Sequence, residues 1–299
     1  MTAALPIDVV IVTWNSREMV LRCLDRFDPA RVEKIIVVDN GSTDETADAV
    51  REQYPSAELV RLEAGRSLAE AYNRGADRGS AEFVLFLNDD VLVTEASIAT
   101  LVETLQSHPE AVAAAGRLVD PETGHTQGEY LPQPFPSPAT FARAFLGRSR
   151  QPAAFDEERT VVVDQPPGAC LLIRRGSFVA EGRWDEDFEF WYEDVDLARR
   201  LRDRGHVLYV PSAPVEHVGG WSAQRLSPAE RVSRHYRGAL LYSSKHFGRR
   251  QRVATGALYG VVATLRIALS ARNREARAAY GNVLRDSLHL LAGRPLVRS

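Results

Sequence analysis

The chain has 299 residues, an apolar share of 44% and a net charge of -3, which suits one large domain or a domain with an appendage. Its two cysteines, Cys23 and Cys170, lie in apolar stretches, so a disulfide framework and a cysteine metal site are excluded and a reducing compartment is expected. The first residues show no basic region followed by an apolar one, so no signal peptide is expected.

The first part of the chain alternates short apolar runs with helical patterns. Apolar runs of this length, rich in Val, Ile and Leu, predict strands buried on both faces. Strands that alternate with helices over short connections predict a parallel, doubly wound sheet. The predicted strands are Ile7–Thr13, Lys34–Asp39, Glu58–Leu62 and Phe83–Leu87, and the predicted helices are Arg17–Phe27, Glu45–Gln53 and Ser67–Arg78.

The strand Phe83–Leu87 runs directly into Asn88, Asp89 and Asp90. An unpaired carboxylate inside a buried strand is costly, so these side chains are expected where the strand leaves the sheet, the edge at which open α/β sheets bind ligands. Two adjacent acids there suit a hard divalent cation, which can hold a phosphate. The alternative is that Asp89 and Asp90 only begin a turn and cap the next helix.

The second part of the chain is less regular. Prolines at every second position from Pro132 to Pro138 exclude a regular helix or a central strand. Residues 120–159 are therefore expected to form a long loop, either a functional lid or a poorly ordered insertion. Pro211 is expected to end the strand before it. Before and after this loop, the predicted elements are helix Thr94–Ser107, strands Ala111–Val119, Gly168–Arg174 and His206–Val210, helix Val195–Asp203 and a mostly helical stretch Pro228–Leu291.

Charge is divided unevenly along the chain. Residues 225–299 hold 15 lysines and arginines against 3 acidic residues, a net +12, so the rest of the chain carries -15. This basic tail is expected to face something anionic, either a membrane surface or the acidic remainder of the chain itself. Within it, Val253–Leu269 is apolar but interrupted by Arg266, which suits burial or a membrane interface better than spanning.

Short motifs follow one another in order up to about Trp221. They are Val10–Ser16, Val37–Asp44, Asn73–Gly75, Asn88–Asp90, Gly168–Ala169, Glu193–Asp196 and His217–Ser222. Their order and spacing resemble the inverting glycosyltransferases of family 2, and among these the rhamnosyltransferase-like branch. The resemblance implies an α/β fold of the GT-A type: a Rossmann-like, mostly parallel sheet flanked by helices, with a C-terminal helical extension. It implies a catalytic domain over residues 1–224 and a basic helical extension over residues 225–299.

The resemblance also implies a metal site. Asp90 matches the metal-binding carboxylate of the family's Asp-x-Asp motif, and His217 would be a further ligand to Mg²⁺ or Mn²⁺ through a neutral imidazole. Asn88 departs from the motif, because it occupies the first position but brings no charge. The alternative for His217 is a core or surface histidine with no ligand.

Binding of the nucleotide-sugar donor is implied at the ends of the first strands. Thr13 would offer its backbone carbonyl, and Asp39 would accept the imide N–H of a uracil or thymine ring. The alternative for Asp39 is a cap on the following turn. The other residues that the resemblance places on the donor side are Asn15, Ser42, Asn73, Asn88 and Asp89.

The catalytic base implied by the resemblance is Asp194, which would take the proton of the acceptor hydroxyl. Glu193 and Asp196 share the same helix start, beside the acceptor. A helix N-terminus favours acids without any catalysis, which is the alternative for all three. Nearby aromatic residues would form a wall for a sugar or lipid acceptor, or belong to the core. These are Trp184, Phe188, Phe190, Trp191 and Tyr192.

Together these features predict a metal-dependent inverting glycosyltransferase of the hexosyltransferase type. It would use a donor of the dTDP-rhamnose or UDP-sugar type, with a glycan or lipid-linked acceptor, in cell-envelope polysaccharide synthesis. It would be cytoplasmic, with peripheral association at the inner face of the plasma membrane through its basic helices, and would have no nucleic-acid partner. The alternatives are a nucleotidyltransferase that makes a nucleotide-sugar and a catalytically inactive sugar-nucleotide-binding module.

Overall fold

The computed structural model describes residues 4–63, 65–147, 159–219, 226–270 and 272–296. The chain forms two compact units. The first unit comprises Met1–Phe135, Pro152–Glu186 and Leu197–Gly219, and the second comprises Pro136–Gln151, Asp187–Asp196 and Gly220–Ser299. The second unit thus combines the whole basic tail with two segments from earlier in the chain.

Strands and helices alternate through the first part of the chain, as the sequence predicts. In order they are β1 Leu5–Thr13, α1 Arg17–Leu24, β2 Val32–Asp39, α2 Thr46–Gln53, β3 Glu58–Arg61, α3 Leu68–Ala76 and β4 Phe83–Asn88. Strand β1 pairs in parallel with β2 on one side and with β4 on the other, and β3 pairs in parallel with β2. This half is the doubly wound sheet expected from short βα connections.

The sheet becomes mixed in its second half. The elements that follow are β5 Val91–Leu92, α4 Glu95–Ser107, β6 Ala111–Val119, α5 Pro138–Phe145, β7 Val161–Val162, β8 Cys170–Arg174, α6 Arg175–Ala180, α7 Glu193–Leu201, β9 His206–His217, α8 Pro228–His246, α9 Arg249–Leu269 and α10 Arg274–Leu291. The strand order is β3-β2-β1-β4-β8-β6-β9-β5, with β7 on β9. Strand β8 runs antiparallel to both neighbours, β4 and β6, a direction that its sequence does not predict.

The prediction that Pro211 ends its strand is wrong, because β9 continues to His217. Pairing with β6 shifts after Val210 and resumes at Pro214, so Pro211 lies in a bulge where its missing N–H is not needed for the ladder. On β6 opposite, Gly116 permits the bulge, since a Cβ there would lie 2.5 Å from a carbonyl oxygen of β9. The longer strand carries His217 to the edge of the sheet beside β5.

The proline-rich stretch contains one regular helix that its sequence was expected to exclude. Pro138, the last of the alternating prolines, is the first residue of α5, and Ser137 caps that helix in a capping box with Thr140. Proline is tolerated at the first helical position because the N–H there has no partner within the helix. The remainder of the stretch within the described residues is largely irregular, and residues 148–158 lie outside them.

Helices cover both faces of the sheet of the first unit. Along β1, alternate residues point to opposite faces, so that Val9 and Ile11 belong to one buried cluster while Val10 and Val12 belong to the other. Helices α1, α2 and α4 contribute to the first cluster, and α3, α6 and the end of α7 contribute to the second. Burial on both faces explains why these strands are apolar without alternation.

The second unit is mainly helical. Helix α9 packs against α10, α8 and α5. Among the described residues, α9 is the one helix long and apolar enough to cross a membrane by length and composition, with a mean hydropathy of 1.3 over its best window, of which 22% is buried.

Candidate active site

The carboxyl ends of β1, β2 and β4 lie side by side in the first unit. Thr13 pairs with Asp39, and Val12 pairs with Asn88, so the polar residues that end these strands meet at one edge of the sheet. The sequence predicts this edge, because parallel strands end in the same direction and ligands bind there.

Asp39 is fully buried at this edge. Its Oδ1 accepts a hydrogen bond from the Ser42 backbone N–H at 3.2 Å, which is the turn-capping role. Its Oδ2 is buried and accepts no hydrogen bond within the described residues, although Nε of the half-exposed Arg61 lies 3.4 Å away. A buried carboxylate oxygen of this kind suits an N–H donor from a ligand.

Asn15 and Ser42 join the loops that follow β1 and β2. The Asn15 backbone N–H donates to Ser42 Oγ at 2.8 Å, and Asn15 Oδ1 accepts from the Thr43 backbone N–H at 2.8 Å. Asn15 adopts a left-handed conformation with φ of 49°, which asparagine tolerates better than most residues. Both side chains therefore hold the rim of the site in shape, and their contact with a donor stays a prediction.

Thr13 and Asp89 fix the turn after β4. Thr13 Oγ1 donates to Asp89 Oδ2 at 2.8 Å, and the Thr13 carbonyl accepts from the Asn40 backbone N–H at 2.8 Å. Asp89 is 3% exposed, so in this structure its carboxylate orients the turn that presents Asp90. The donor contacts expected of Thr13 and Asp89 stay predictions.

The Asn73 side chain is occupied by hydrogen bonds to Trp184 and Glu186. Its Nδ2 donates to the Trp184 carbonyl at 2.9 Å and to Glu186 Oε1 at 3.0 Å, while its Oδ1 accepts from the Trp184 backbone N–H at 3.2 Å. Beside it, Tyr72 donates its hydroxyl proton to Asn88 Oδ1 at 2.9 Å. Asn73 thus holds the segment 184–186 on α3, and a direct contact with the donor stays a prediction.

An open cleft of about 520 Å³ lies next to Asn73. Its walls are formed by the end of α3 and by the segment 181–186, with Arg74, Arg183 and Arg200 opposed by several acids. Asp39, Asp90 and His217 do not line it, so this cleft is separate from the carboxyl edge of the sheet.

Asp90 and His217 face each other at the edge of the sheet. Val91 of β5 pairs with His217 of β9, and the Val218 backbone N–H donates to the Asp90 carbonyl at 3.0 Å. His217 Nε2 lies 3.6 Å from Asp90 Oδ1. Both residues are buried, at 2% and 4% exposure, and Asp90 Oδ1 accepts no hydrogen bond within the described residues.

Gln127 determines which ring nitrogen of His217 carries the proton. Its Nε2 donates to the His217 carbonyl at 2.7 Å, so its Oε1 is the atom that lies 2.9 Å from His217 Nδ1 and must accept a hydrogen bond from Nδ1–H. Nε2 is then the acceptor that faces Asp90. Burial lowers the pKa of His217 despite the opposing effects of Asp90 and Glu129, which favours this neutral form.

This arrangement fits a divalent cation. Two ligands that each lie about 2.1 Å from one ion are about 3.6 Å apart when the angle between them is about 120°, which matches the Asp90–His217 separation. A neutral imidazole whose other nitrogen is hydrogen-bonded is the usual form of a metal-ligating histidine. The described residues contain no group of three or more His, Cys, Asp or Glu able to hold a metal ion.

Sequence reasoning missed Gln127 and also Tyr130, whose ring packs edge-on against His217 with centroids 4.6 Å apart. Both residues lie in the stretch interpreted as a lid or an insertion, and no pattern in that stretch singles them out. The end of the motif that contains His217, residues 220–222, lies outside the described residues.

The acids Glu193, Asp194 and Asp196 begin α7 in the second unit. Asp194 is partly exposed, and its Oδ1 accepts from the Val195 backbone N–H at 2.8 Å. Glu193 and Asp196 are 7% and 1% exposed. Burial, and then the neighbouring carboxylates of Asp194 and Asp196, raise the pKa of Glu193 to about 8. Of the three, Asp194 is therefore the most accessible to a substrate.

The expected aromatic wall is mostly core. Trp184 in the first unit and Phe188 and Tyr192 in the second are each less than 8% exposed, whereas Phe190 and Trp191 are partly exposed and pack on each other. Trp191 and Tyr192 adopt left-handed conformations with φ of 67° and 72° directly before α7. Strain of this kind in bulky residues is maintained by packing and is frequent at functional sites.

Comparison with known proteins identifies the family. The family model described as Glycosyl transferase family 2 matches residues 8–177. N-acetylglucosaminyl-diphospho-decaprenol L-rhamnosyltransferase of Mycobacterium tuberculosis is 31% identical over 83% of this chain and 87% of its own length. This relative confirms the expected resemblance to rhamnosyltransferases.

Solved structures share the fold at low sequence identity. GalNAc-T7 with UDP, GalNAc and Mn²⁺ has a TM-score of 0.60 and 17% identity over 80% of this chain and 50% of its own. The mannosyltransferase PcManGT of Pyrobaculum calidifontis, in complex with GDP-Man and Mn²⁺, has a TM-score of 0.54 and 16% identity over 97% of this chain and 88% of its own. These structures confirm the expected GT-A-type fold class. Because the family model matches more than half of its length, this chain belongs to glycosyl transferase family 2.

Proposed function

We propose that this glycosyltransferase moves a hexose, from a donor of the dTDP-rhamnose or UDP-sugar type, to a hydroxyl of a lipid-linked or glycan acceptor during cell-envelope polysaccharide synthesis. The family match and the 31% identical rhamnosyltransferase support the reaction class. That relative is named for an N-acetylglucosaminyl-diphospho-decaprenol, which supports an acceptor on a lipid carrier for this chain. As part of the same proposal, transfer takes place at the cytoplasmic face of the membrane.

The single observation that carries metal dependence is the buried pair Asp90 and His217. Mg²⁺ or Mn²⁺ held there would offset the charge of the donor diphosphate in the ground state and as the leaving group forms. Asp39 would accept the imide N–H of a pyrimidine base through its Oδ2, the oxygen that makes no hydrogen bond within the described residues. Its burial excludes water from that contact, so a base without the N–H would leave the carboxylate oxygen unpaired.

Asp194 takes the proton of the acceptor hydroxyl as its oxygen forms a bond to the anomeric carbon. The bond between that carbon and the diphosphate oxygen breaks with its electron pair on the nucleoside diphosphate. A single displacement of this kind inverts the anomeric configuration. Since Asp194 is the more exposed carboxylate of its cluster, it is the group assigned to the acceptor.

The match to a glycosyltransferase family supports sugar transfer over the nucleotidyltransferase alternative. An inactive sugar-nucleotide-binding module is the remaining alternative. Such a module would differ from a glycosyltransferase in one measurable respect: it would bind the donor but release no nucleoside diphosphate.

We also propose that the second unit associates peripherally with an anionic membrane surface through α9. On this helix Val261, Leu265 and Leu269 are 61%, 59% and 81% exposed, so much of its apolar surface faces solvent. Exposed arginines lie at both of its ends, and the sequence has no acidic residue from 231 to 274. Apolar surface flanked only by cations fits a lipid surface that carries negative charge, whereas a second copy of the helix would bring like charges together.

The direct test is transfer from dTDP-rhamnose to a short-chain N-acetylglucosaminyl-diphospho-polyprenol with Mn²⁺, followed by mass spectrometry of the lipid product. Asp194→Asn should keep the donor affinity but lose turnover by about 100-fold or more, because an amide cannot take the proton. Near-wild-type turnover in that variant would remove Asp194 as the base. Donor binding without any release of dTDP by the wild-type protein, across a panel of dTDP- and UDP-sugars, would favour the inactive module.

A further inference from the structure

Helix α8 contacts the segment that leads into the acids of α7, and it does so at successive turns within the second unit. Near its middle, Arg237 Nε lies 3.8 Å from Glu189 Oε1. One residue later, a Cβ on Gly238 would lie 2.8 Å from the Trp191 carbonyl oxygen, so the helix backbone approaches the strained segment as closely as glycine permits. These contacts lie on the side of α8 that faces residues 187–196.

The last turn of α8 makes two contacts with acidic side chains, and the two differ greatly in burial. Lys245 Nζ lies 2.9 Å from Asp187 Oδ2, and the Asp187 side chain is 55% exposed. His246 Nε2 lies 2.7 Å from Asp196 Oδ1, where the side chains are 15% and 1% exposed. An exposed pair contributes little, whereas a buried carboxylate depends on its partner. The His246–Asp196 contact is therefore the stronger of the two constraints on the helix start.

Asp196 lies in the first turn of α7, two residues after Asp194. Its backbone N–H donates to the Tyr192 carbonyl at 2.9 Å, and a carboxylate can only accept, so His246 Nε2–H donates to its side chain. The Tyr242 ring packs against the imidazole with centroids 4.7 Å apart. The start of α7 is thus held by its own backbone and, from outside the helix, by His246.

Three carboxyl groups crowd this turn, and His246 donates a hydrogen bond to one of them, Asp196. Glu193 Oε2 is buried without a hydrogen-bond partner among the described residues. Loss of the His246 hydrogen bond would make the buried Asp196 carboxylate less favourable beside Asp194 and Glu193, and the turn would relax away from its present geometry. The orientation of Asp194 then depends on a residue that is 52 positions further along the chain.

We propose that His246 is a positioning residue for the transfer reaction: by donating a hydrogen bond to Asp196 it fixes the first turn of α7 and, with it, the direction from which Asp194 meets the acceptor hydroxyl. The inference rests on the proposed role of Asp194 as the base. It gives His246 a role in catalysis although the residue touches no reacting atom.

The test compares three variants in the rhamnose-transfer assay with dTDP-rhamnose and the short-chain N-acetylglucosaminyl-diphospho-polyprenol. His246→Gln keeps an N–H donor of similar reach but loses the ring, and His246→Phe keeps the ring against Tyr242 but loses the donor. Lys245→Ala is the matched control, because it removes the neighbouring exposed pair on the same helical turn. A melting curve is recorded for each protein. The Kd for dTDP is then measured at a temperature below the unfolding transition.

We expect kcat of His246→Phe to fall by about 10- to 100-fold with an unchanged Kd for dTDP, since misplacement of a catalytic group costs rate rather than donor binding. His246→Gln should recover most of that loss, and Lys245→Ala should match the wild type. Equal kcat for His246→Phe and the wild type would overturn the inference. If both variants are folded, a kcat of His246→Gln no higher than that of His246→Phe would overturn it too. A wild-type protein that transfers no sugar overturns the proposed function instead.

Discussion

His217 shows how a single side chain acquires a role from its neighbours. Gln127 places the ring proton on Nδ1, Tyr130 packs against the ring, and burial lowers its pKa. The contact with Gln127 and the burial leave Nε2 as a neutral acceptor directed at Asp90. A histidine in another setting would be an ordinary surface residue, so the ligand assignment rests on these contacts more than on the residue type.

Replacing Gln127 tests that dependence. Gln127→Leu removes the acceptor that holds the His217 tautomer, so we expect the Mn²⁺-dependent part of dTDP affinity to fall by about 10- to 100-fold. His125→Ala, at an exposed position in the same loop, is the matched control and should change nothing. Titration calorimetry with dTDP and Mn²⁺ makes the measurement, and an unchanged affinity in Gln127→Leu would show that the loop does not orient a ligand.

Glu193 predicts a pH dependence of stability. Its pKa in the folded chain is about 8, raised from an ordinary value of 4.5, so the folded state holds more protons than the unfolded state between these values. The free energy of unfolding therefore falls as pH rises through that window. Glu193→Gln cannot ionise and therefore does not lose stability in this way. The difference in melting temperature, variant minus wild type, should be more positive at about pH 8.5 than at about pH 5. Equal differences at the two pH values would contradict the assignment.

The residues at strand ends could be predicted from sequence, because a buried strand cannot hold Asp39 or Asp90 in its interior and parallel strands end at one edge. Gln127 could not be predicted, since its hydrogen bonds to His217 span 90 positions. The loop that contains it shows no hydrophobic periodicity that would single it out. His246 was hidden for the same reason, although it lies in a helix. Contacts between distant positions depend on the packed fold, which local pattern does not contain.

At the scale of elements, two of the differences from prediction involve proline, and a third is the antiparallel direction of β8. Pro211 sits within β9 because a bulge frees it from the ladder, and Pro138 begins α5 because the first helical position needs no N–H. The rule that proline breaks regular structure holds for the interior of an element but not for its bulges or its first residue. The parallel first half of the sheet lacks such exceptions, which is why its strands were predicted closely.

Helix α8 provides an element-scale prediction. Gly238→Ala places a methyl group 2.8 Å from the Trp191 carbonyl oxygen and 2.9 Å from the Tyr192 ring, and overpacking of this kind costs about 1–3 kcal/mol. We expect a lower melting temperature and reduced transfer, because the segment before α7 must move.

Gly260→Ala is the matched control for that change. A Cβ at Gly260 meets its nearest atoms at 3.8 Å and 3.9 Å, and alanine favours a helix over glycine by about 0.5–1 kcal/mol. This variant should be as stable as the wild type or more so. A Gly238→Ala protein with unaltered stability would show that α8 does not press on the Trp191–Tyr192 segment.

At the scale of the whole molecule, the sequence divides its charge into an acidic majority and a tail with a net +12. Within the second unit, Arg237 and Lys245 pair with acids of the same unit, which accords with an internal role for those two cations. The arginines around α9 are exposed instead, and they accompany the exposed apolar face. The proposed membrane surface is therefore α9 with its flanking arginines, and α8 serves the site.

Vesicle flotation tests this surface. The full-length protein should bind vesicles that contain phosphatidylglycerol, and less so as salt screens the arginines. Val261→Glu with Leu265→Glu should weaken binding by at least about tenfold, because two apolar side chains are lost from the interface. Val179→Glu, at a 50% exposed position in the first unit, should not. Equal recovery of the wild-type protein with and without anionic vesicles would leave the cationic tail without a membrane role.

The central claim is that Asp90, with His217, holds the cation through which a nucleoside diphosphate binds. Calorimetric titration of dTDP into the wild-type protein and Asp90→Ala, each with and without Mn²⁺, tests it most directly, with melting curves to establish that both are folded. We predict that Mn²⁺ tightens binding to the wild type by at least about tenfold and has no such effect on Asp90→Ala. The same gain from Mn²⁺ in both proteins would contradict the claim.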